Sequence, residues 1–216
     1  MAGPVLNLGL SILCMTSVGV CTAAAERKSI GVFIDFDSVP APMAVTAMKR
    51  EVGTIMKPTG FRVDWRKLKE NRGTESFDGL AVVRFKGKCH VQPWPEDPAG
   101  EKLILGSTLV SDGQPLPFTE INCEQVRKTL TYCATDCDQE RQWALGRALG
   151  RVVAHELYHA LARTTAHAGK GLARATQSLR DLVIGRPIPF HPDDSDAIRR
   201  GISTPLGTLS FTPHSH

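Results

Sequence analysis

The chain has 216 residues, 42% of them hydrophobic and 22% charged, a globular composition at a length that suits one domain with its own core. That composition excludes collagenous, coiled-coil and broadly disordered architectures. The net charge of +4 is too mild for a nucleic-acid binder, because KREVGTIMK and RKLKENR interleave bases with acids and read as solvated faces.

Residues 1–25, MAGPVLNLGLSILCMTSVGVCTAAA, carry no charged side chain and then give way to ERKS. An apolar centre from Val5 to Val20, followed by Ala23, Ala24 and Ala25, reads as a secretory signal peptide removed at maturation. A membrane anchor is the rival reading. The run is short and interrupted by Asn7, Gly9 and Ser11, so no stable membrane insertion is expected after the signal is removed.

Residues 26–216 are expected to form a single domain, of which about 174–216 is a small C-terminal part. SIGVFIDFDSV reads as a buried strand. In APMAVTAMKREVGTIMKPTG the apolar residues Met43, Val45, Met48, Val52, Ile55 and Met56 recur at helical spacing, ending near Pro58 and Gly60. FRVDWRKL alternates as a second strand, GLAVVRFKGKC has the continuous apolar start of a mid-sheet strand, and KLILGSTLVSD is a shorter fourth. CEQVRKTLTY suits a short helix and DQERQWALGRALGRVVAHELYHALAR a long one. The order β, α, β, β, β, α, α predicts an α+β fold, a mixed β-sheet backed by helices on one side.

Cys89, Cys123, Cys133 and Cys137 follow the signal, an even number in a chain read as exported, which points to disulfides with three possible connectivities. The favoured one pairs Cys89 with Cys123, tying a strand end to a helix start, and Cys133 with Cys137 as a local clip. A CxxxC pair without a second pair nearby is a poor zinc knuckle.

The long helix carries HELYH. His155 and His159 are four apart, so they stack on one helical face where both imidazoles can reach one ion. Glu156 lies about 100° around the helix, where its carboxylate can approach a water on that ion without being a ligand. Val152, Val153, Ala154, Leu157, Ala160 and Leu161 make this stretch buried, and unpaired histidines there would be costly. His167 follows eight residues after His159. A continued helix would carry it about 12 Å along the axis and out of reach, so the helix must end near Ala162 to Thr165 for His167 to join the other two. No Gly or Asn lies in between to turn left-handed, so a bulkier residue would have to, at about 1 kcal/mol or more.

The element order followed by HELYHALARTTAH resembles the zinc metallopeptidases of the metzincin type. AHELYHALARTTAHAGKGLA is similar to a group of uncharacterised secreted bacterial proteins with HExxH and a third His eight residues on. The resemblance implies a metzincin-like fold and a secreted or periplasmic peptidase. In it, His155, His159 and His167 would be the metal ligands and Glu156 the general base, acting on a peptide or protein substrate, with Leu172 and Ala173 in the turn beneath the metal. It also implies that ILGSTLV borders the cleft and could pair with an extended substrate. This sequence departs from the metzincin pattern in having Ala162 where Gly is usual and no methionine after Met56. A non-catalytic metal-binding or peptide-binding protein on the same fold is therefore the alternative.

Three neutral imidazoles with an open fourth position suit one Zn²⁺ ion. Asp181 in SLRDL is the competing third ligand, although Ser178 and Asp181 have the spacing of a helix capping box. Tyr158 is expected to pack rather than react. Asp35 and Asp37 read as strand-end turn formers, His191 as an exposed residue before a short helix over Ala197 to Arg200, and His214 and His216 as a frayed tail.

Overall fold

The fold is described from a computed structural model, which covers residue 1 and residues 28–91, 104–132, 135, 137–183 and 185–204. The signal-peptide reading, Cys133, His214 and His216 lie outside the described residues.

Five strands form one mixed sheet: β1 (Ser29–Phe36), β2 (Arg62–Lys67), β3 (Gly79–Lys86), β4 (Gly106–Ser111) and β5 (Gln114–Asn122), in the order β2-β1-β3-β5-β4. All neighbours are parallel except β4 and β5, which are antiparallel. GLAVVRF therefore sits mid-sheet as its pattern predicts, and GSTLVS is an edge. In β3 the residues Ala81, Val83 and Phe85 are fully buried. Across the register Val32 faces Ala81, Ile34 faces Val83 and Phe85 faces Ile121, so one face of the sheet is a continuous apolar layer. The opposite face leaves Leu80 and Phe118 exposed and is covered near Gly31 and Phe33 by Phe77.

β5 is a strand that the sequence pattern does not predict. Its Pro115 and Pro117 read as loop residues, since proline cannot donate to a ladder. The pairing explains how they are accommodated: β3 joins β5 only from Phe118 onward, so both prolines lie in an arm flanked by β4 alone.

Helix α1 (Pro42–Met56) opens with proline at its first position and passes through a 3-10 turn to Gly60 at φ 82°. It buries Ala44, Ala47, Met48, Val52, Ile55 and Met56 on one face. α2 (Cys123–Lys128) is capped by the Asn122 side chain, which accepts from Gln125 N. The long helix α3 (Asp138–Ala162) lies beside α1 on the buried face of the sheet. Gly146 and Gly150 allow this: a Cβ at Gly146 would collide with the Ala44 carbonyl, and one at Gly150 would come within 2.9 Å of the Met48 carbonyl. The one-sided helical backing expected from the element order is thus present.

α4 (Leu179–Val183) and α5 (Pro192–Ser203) complete the fold. α5 is longer than expected because it starts on Pro192, immediately after His191. Gly201 lets α5 close on the end of α3, where a side chain would meet the Leu161 carbonyl. Among the described residues no helix is long and apolar enough to cross a membrane.

Cys89 and Cys123 form a disulfide across 34 residues, joining the end of β3 to the start of α2. Cys137 is a free, exposed cysteine, and the partner expected for it, Cys133, is outside the described residues. Closing a loop of that length is expected to stabilise the fold by about 4 kcal/mol. The Cys89→Ser/Cys123→Ser protein should therefore unfold at clearly lower denaturant than the oxidised protein, and reductant should shift only the latter.

Candidate metal centre

α3 is built so that its last turns are buried on almost every side. Val153, Ala154 and Leu157 are fully buried, and Glu156 and His159 are 6% and 7% exposed. On this helix His155 and His159 stack as their spacing requires, with ring centroids 4.9 Å apart.

The helix ends at Ala162, and Arg163 takes the left-handed conformation at φ 52°, ψ 46°. Thr164 N then donates back to the His159 carbonyl at 3.2 Å. This is the reversal that the third histidine needs, made by a non-glycine residue at the cost expected of one. The reversed chain brings the exposed His167 ring to 5.4 Å from His155 and 4.7 Å from His159. One ring nitrogen from each of the three histidines lies within 4.8 Å of the others, a cluster that could hold a metal ion.

Hydrogen bonds orient two of the rings. The Nδ1–H of His155 donates to the Leu172 carbonyl at 2.8 Å, and that of His159 to the Thr164 carbonyl at 2.8 Å. In these tautomers both Nε2 atoms carry lone pairs, and they face each other at 3.2 Å. Two acceptors so close repel unless a cation lies between them, so the donor set fits a metal ion. Burial lowers the pKa of both imidazoles, opposed by their carbonyl partners. The neutral form that a metal requires is therefore the favoured one.

Glu156 projects beside the pair. The Thr108 hydroxyl on β4 lies 2.8 Å from its Oε2 and 3.2 Å from its main-chain oxygen, donating to the carboxylate. Burial raises the pKa of the carboxyl, and the Thr108 hydrogen bond pulls it back. Gly106, two residues earlier on the same strand, leaves room for this group, since a Cβ there would lie 3.0 Å from Glu156 Oε1. The carboxylate and the three histidines line one cleft of about 570 Å³, with β4 along one side.

The turn after His167 is braced from below. Leu172 is fully buried, and its N–H donates to the Pro189 carbonyl at 3.1 Å. Gln177 Nε2 donates to the carbonyls of Leu172 and Gly171 at 3.0 and 3.2 Å. Of the two residues expected in this turn, Leu172 reaches the histidines through its carbonyl, which accepts from His155, and Ala173 is fully buried beside it. Asp181 is not in the cluster. Its backbone N–H donates to Ser178 Oγ at 3.0 Å, the cap expected from the spacing, and its carboxylate lies 3.6 Å from Arg174.

Tyr158 is buried and its ring packs against Phe190 and His159. Asp35 and Asp37 stand at the end of β1, near Lys69 and Lys86 respectively. His191 caps α5 and contacts Asp193 at 3.2 Å. Four contributors have no local signal in the sequence: Thr108, Gly106 and the buried Arg151, which act on residues remote in the chain, and Gln177, which acts on Leu172 five positions before it.

The fold is similar to the crystal structure of archaemetzincin from Methanopyrus kandleri. The likeness has a TM-score of 0.49 and 12% identity, over 85% of this chain and 99% of that one. No family model matches the sequence, and comparison with curated proteins finds no relative.

Thr108→Val would leave a buried carboxylate without its hydroxyl donor, a loss worth about 1.5–3 kcal/mol for a hydrogen bond to a charged group. Equilibrium unfolding in urea should show that loss for Thr108→Val, and much less for Thr108→Ser, which keeps the donor.

Proposed function

We propose that this protein is a secreted zinc-dependent peptidase. In this reading His155, His159 and His167 hold one Zn²⁺ ion, and Glu156 is the general base. One observation carries the reading: two imidazoles fixed by carbonyls turn their free lone pairs together beside a buried carboxylate, at the wall of an open cleft.

Bound there, zinc would supply Lewis acidity, acidifying a water and polarising the scissile carbonyl. The protein's own groups do the rest. The carbonyls of Leu172 and Thr164 keep His155 and His159 in the tautomer that leaves Nε2 free. Glu156 accepts a proton from the attacking water at its carboxylate and passes it to the leaving amine. Burial raises its pKa toward the working pH, which suits a group that must both take and return a proton. The Thr108 hydroxyl keeps that carboxylate from turning away.

β4 lies at the edge of the sheet and flanks the cleft. An extended peptide added to that edge would have its backbone paired and one bond delivered toward Glu156. Export is supported by the uncharged apolar N-terminus followed by small residues. The buried Cys89–Cys123 disulfide supports it too, since such bonds persist in oxidising compartments.

Protein purified without a histidine tag should carry about one equivalent of zinc and cut a broad peptide library in a chelator-sensitive way. Glu156→Gln should lower kcat by roughly two to four orders of magnitude while zinc stays bound. Zinc bound with the library left intact would instead support a non-catalytic metal-binding protein.

The ligand assignment has its own measurement. His167→Ala should weaken zinc affinity by orders of magnitude in a competitive chelator titration, because one of three protein ligands is lost. Asp181→Ala should leave the affinity unchanged. The opposite pattern would make His167 a loop residue and Asp181 the ligand.

A further inference from the structure

The cleft beside the histidines has a mixed lining, in which Leu105, Val110, Val152, Leu172 and Leu182 stand beside hydroxyl and amide side chains such as Thr108 and Gln177. Among the described residues, only three side chains on that lining other than histidine carry a formal charge: Glu156, Arg151 and Arg174. Glu156 is assigned to the proton transfers. Arg151 is fully buried, with its guanidinium spent on Glu51 and on backbone carbonyls. It is enclosed by its own protein partners.

Arg174 differs in every respect. Its side chain is 41% exposed. Its Nε and Nη2 lie 3.2 and 3.1 Å from a single neutral oxygen, Gln177 Oε1, so one edge of the guanidinium is held by an amide. The carboxylate of Asp181 stands 3.6 Å from Nη2 and is itself 52% exposed, a pair that water screens. The end of the fork that carries Nη1 has no protein partner among the described residues.

The position of this cation is tied to the site. Gln177, which holds Arg174, also donates to the Leu172 carbonyl at 3.0 Å, and that carbonyl accepts from His155 Nδ1 at 2.8 Å. Three hydrogen bonds in series link the guanidinium to the first histidine. The remaining Nη1 belongs to a side chain that lines the cleft, so a carboxylate held there can accept a charge-assisted hydrogen bond from it.

We propose that Arg174 binds a carboxylate of the peptide in the cleft, so that the substrates are acidic: peptides with an Asp or Glu side chain, or a free C-terminal carboxylate, near the bond that is cut. This inference rests on the peptidase reading. Arg174 is a specificity residue, and a lysine-bearing peptide would meet it as a like charge.

The test uses full-length, zinc-loaded Glu156→Gln protein, which holds peptides without cutting them, and fluorescence anisotropy as the readout. The probes are labelled peptides of one sequence with an amidated C-terminus, carrying Glu, Gln or Lys at each position in turn, and the Gln peptide with a free C-terminus. One of the carboxylate-bearing peptides should bind about tenfold more tightly than its neutral counterpart, the scale of one charge-assisted contact. Which of them does so identifies the side chain or the terminus as the source.

Adding Arg174→Ala should equalise the peptides, and Arg174→Glu should invert the preference toward Lys. Arg174→Lys should keep part of it, which separates loss of charge from misfolding. Equal binding of all peptides, or a preference that survives Arg174→Ala, overturns the inference. Cleavage by the unaltered protein with no carboxylate preference overturns it while leaving the peptidase reading in place. A carboxylate preference in a protein that cuts nothing removes the peptidase reading alone, and failure of every peptide to bind removes both.

Discussion

A single buried guanidinium ties together the parts of this fold that make the site. Arg151 is 0% exposed and sits on α3 one turn before His155. Taking such a charge out of water is costly unless its donors are all met. Glu51 of α1 meets it at 2.7 Å, and the carbonyls of Asp181, Gly185 and Arg186 accept the rest. Three separate pieces of chain, α1, α3 and the stretch from α4 to Arg186, are therefore held at one point. Residues 164–186 contain little regular structure of their own, yet they carry His167 and the Leu172 carbonyl that orients His155. Their placement depends on ties of this kind.

That ion pair needs α1 and α3 close together, and the closeness is steric in origin. Gly146 and Gly150 lie one turn apart on α3, where each meets the backbone of α1 almost directly. Glu51 lies against Gly150, whose missing side chain leaves it that space. At the far end of α3, Gly201 performs the same service for α5 against Leu161 and Ala162. The helix that bears HELYH is thus clamped at its middle and at its C-terminal end before the chain turns back at Arg163.

Electrostatics then sorts the groups at the centre. The same burial acts in opposite directions on imidazole and carboxyl, lowering the pKa of His155 and His159 and raising that of Glu156. Neutral imidazoles beside a carboxyl that holds its proton more readily than usual are what the proposed metal-assisted hydrolysis would use. Hydrogen bonds trim both effects: carbonyls act on the two histidines and a hydroxyl acts on the acid. Of the two arginines among the described residues that line the cleft, Arg151 is fully buried and Arg174 is exposed.

The sequence by itself determined what depends on local period and spacing. The 3.6-residue repeat marked α1 and α3, alternation or an unbroken apolar run marked β1 to β3, and HELYH placed two histidines and a carboxyl on known sides of a helix. It also showed that His167 could join them only through a left-handed turn at an unfavourable residue, and it favoured Cys89–Cys123 among three possible connectivities, a bridge that the fold contains. Whether Arg163 would take that turn was a tertiary matter, because an isolated helix end does not favour a left-handed arginine; the conformation is kept by what it brings together. β5 was hidden by Pro115 and Pro117, whose missing donors matter only on the side where a neighbouring strand is present, and no local pattern reveals which side that is. Thr108, Gln177 and Arg151 carried no motif at all. Thr108 and Arg151 meet their carboxylate partners across 48 and 100 positions of sequence, where only the folded packing decides which polar groups satisfy one another, and Gln177 meets Leu172 inside an irregular turn that no helical or strand period describes.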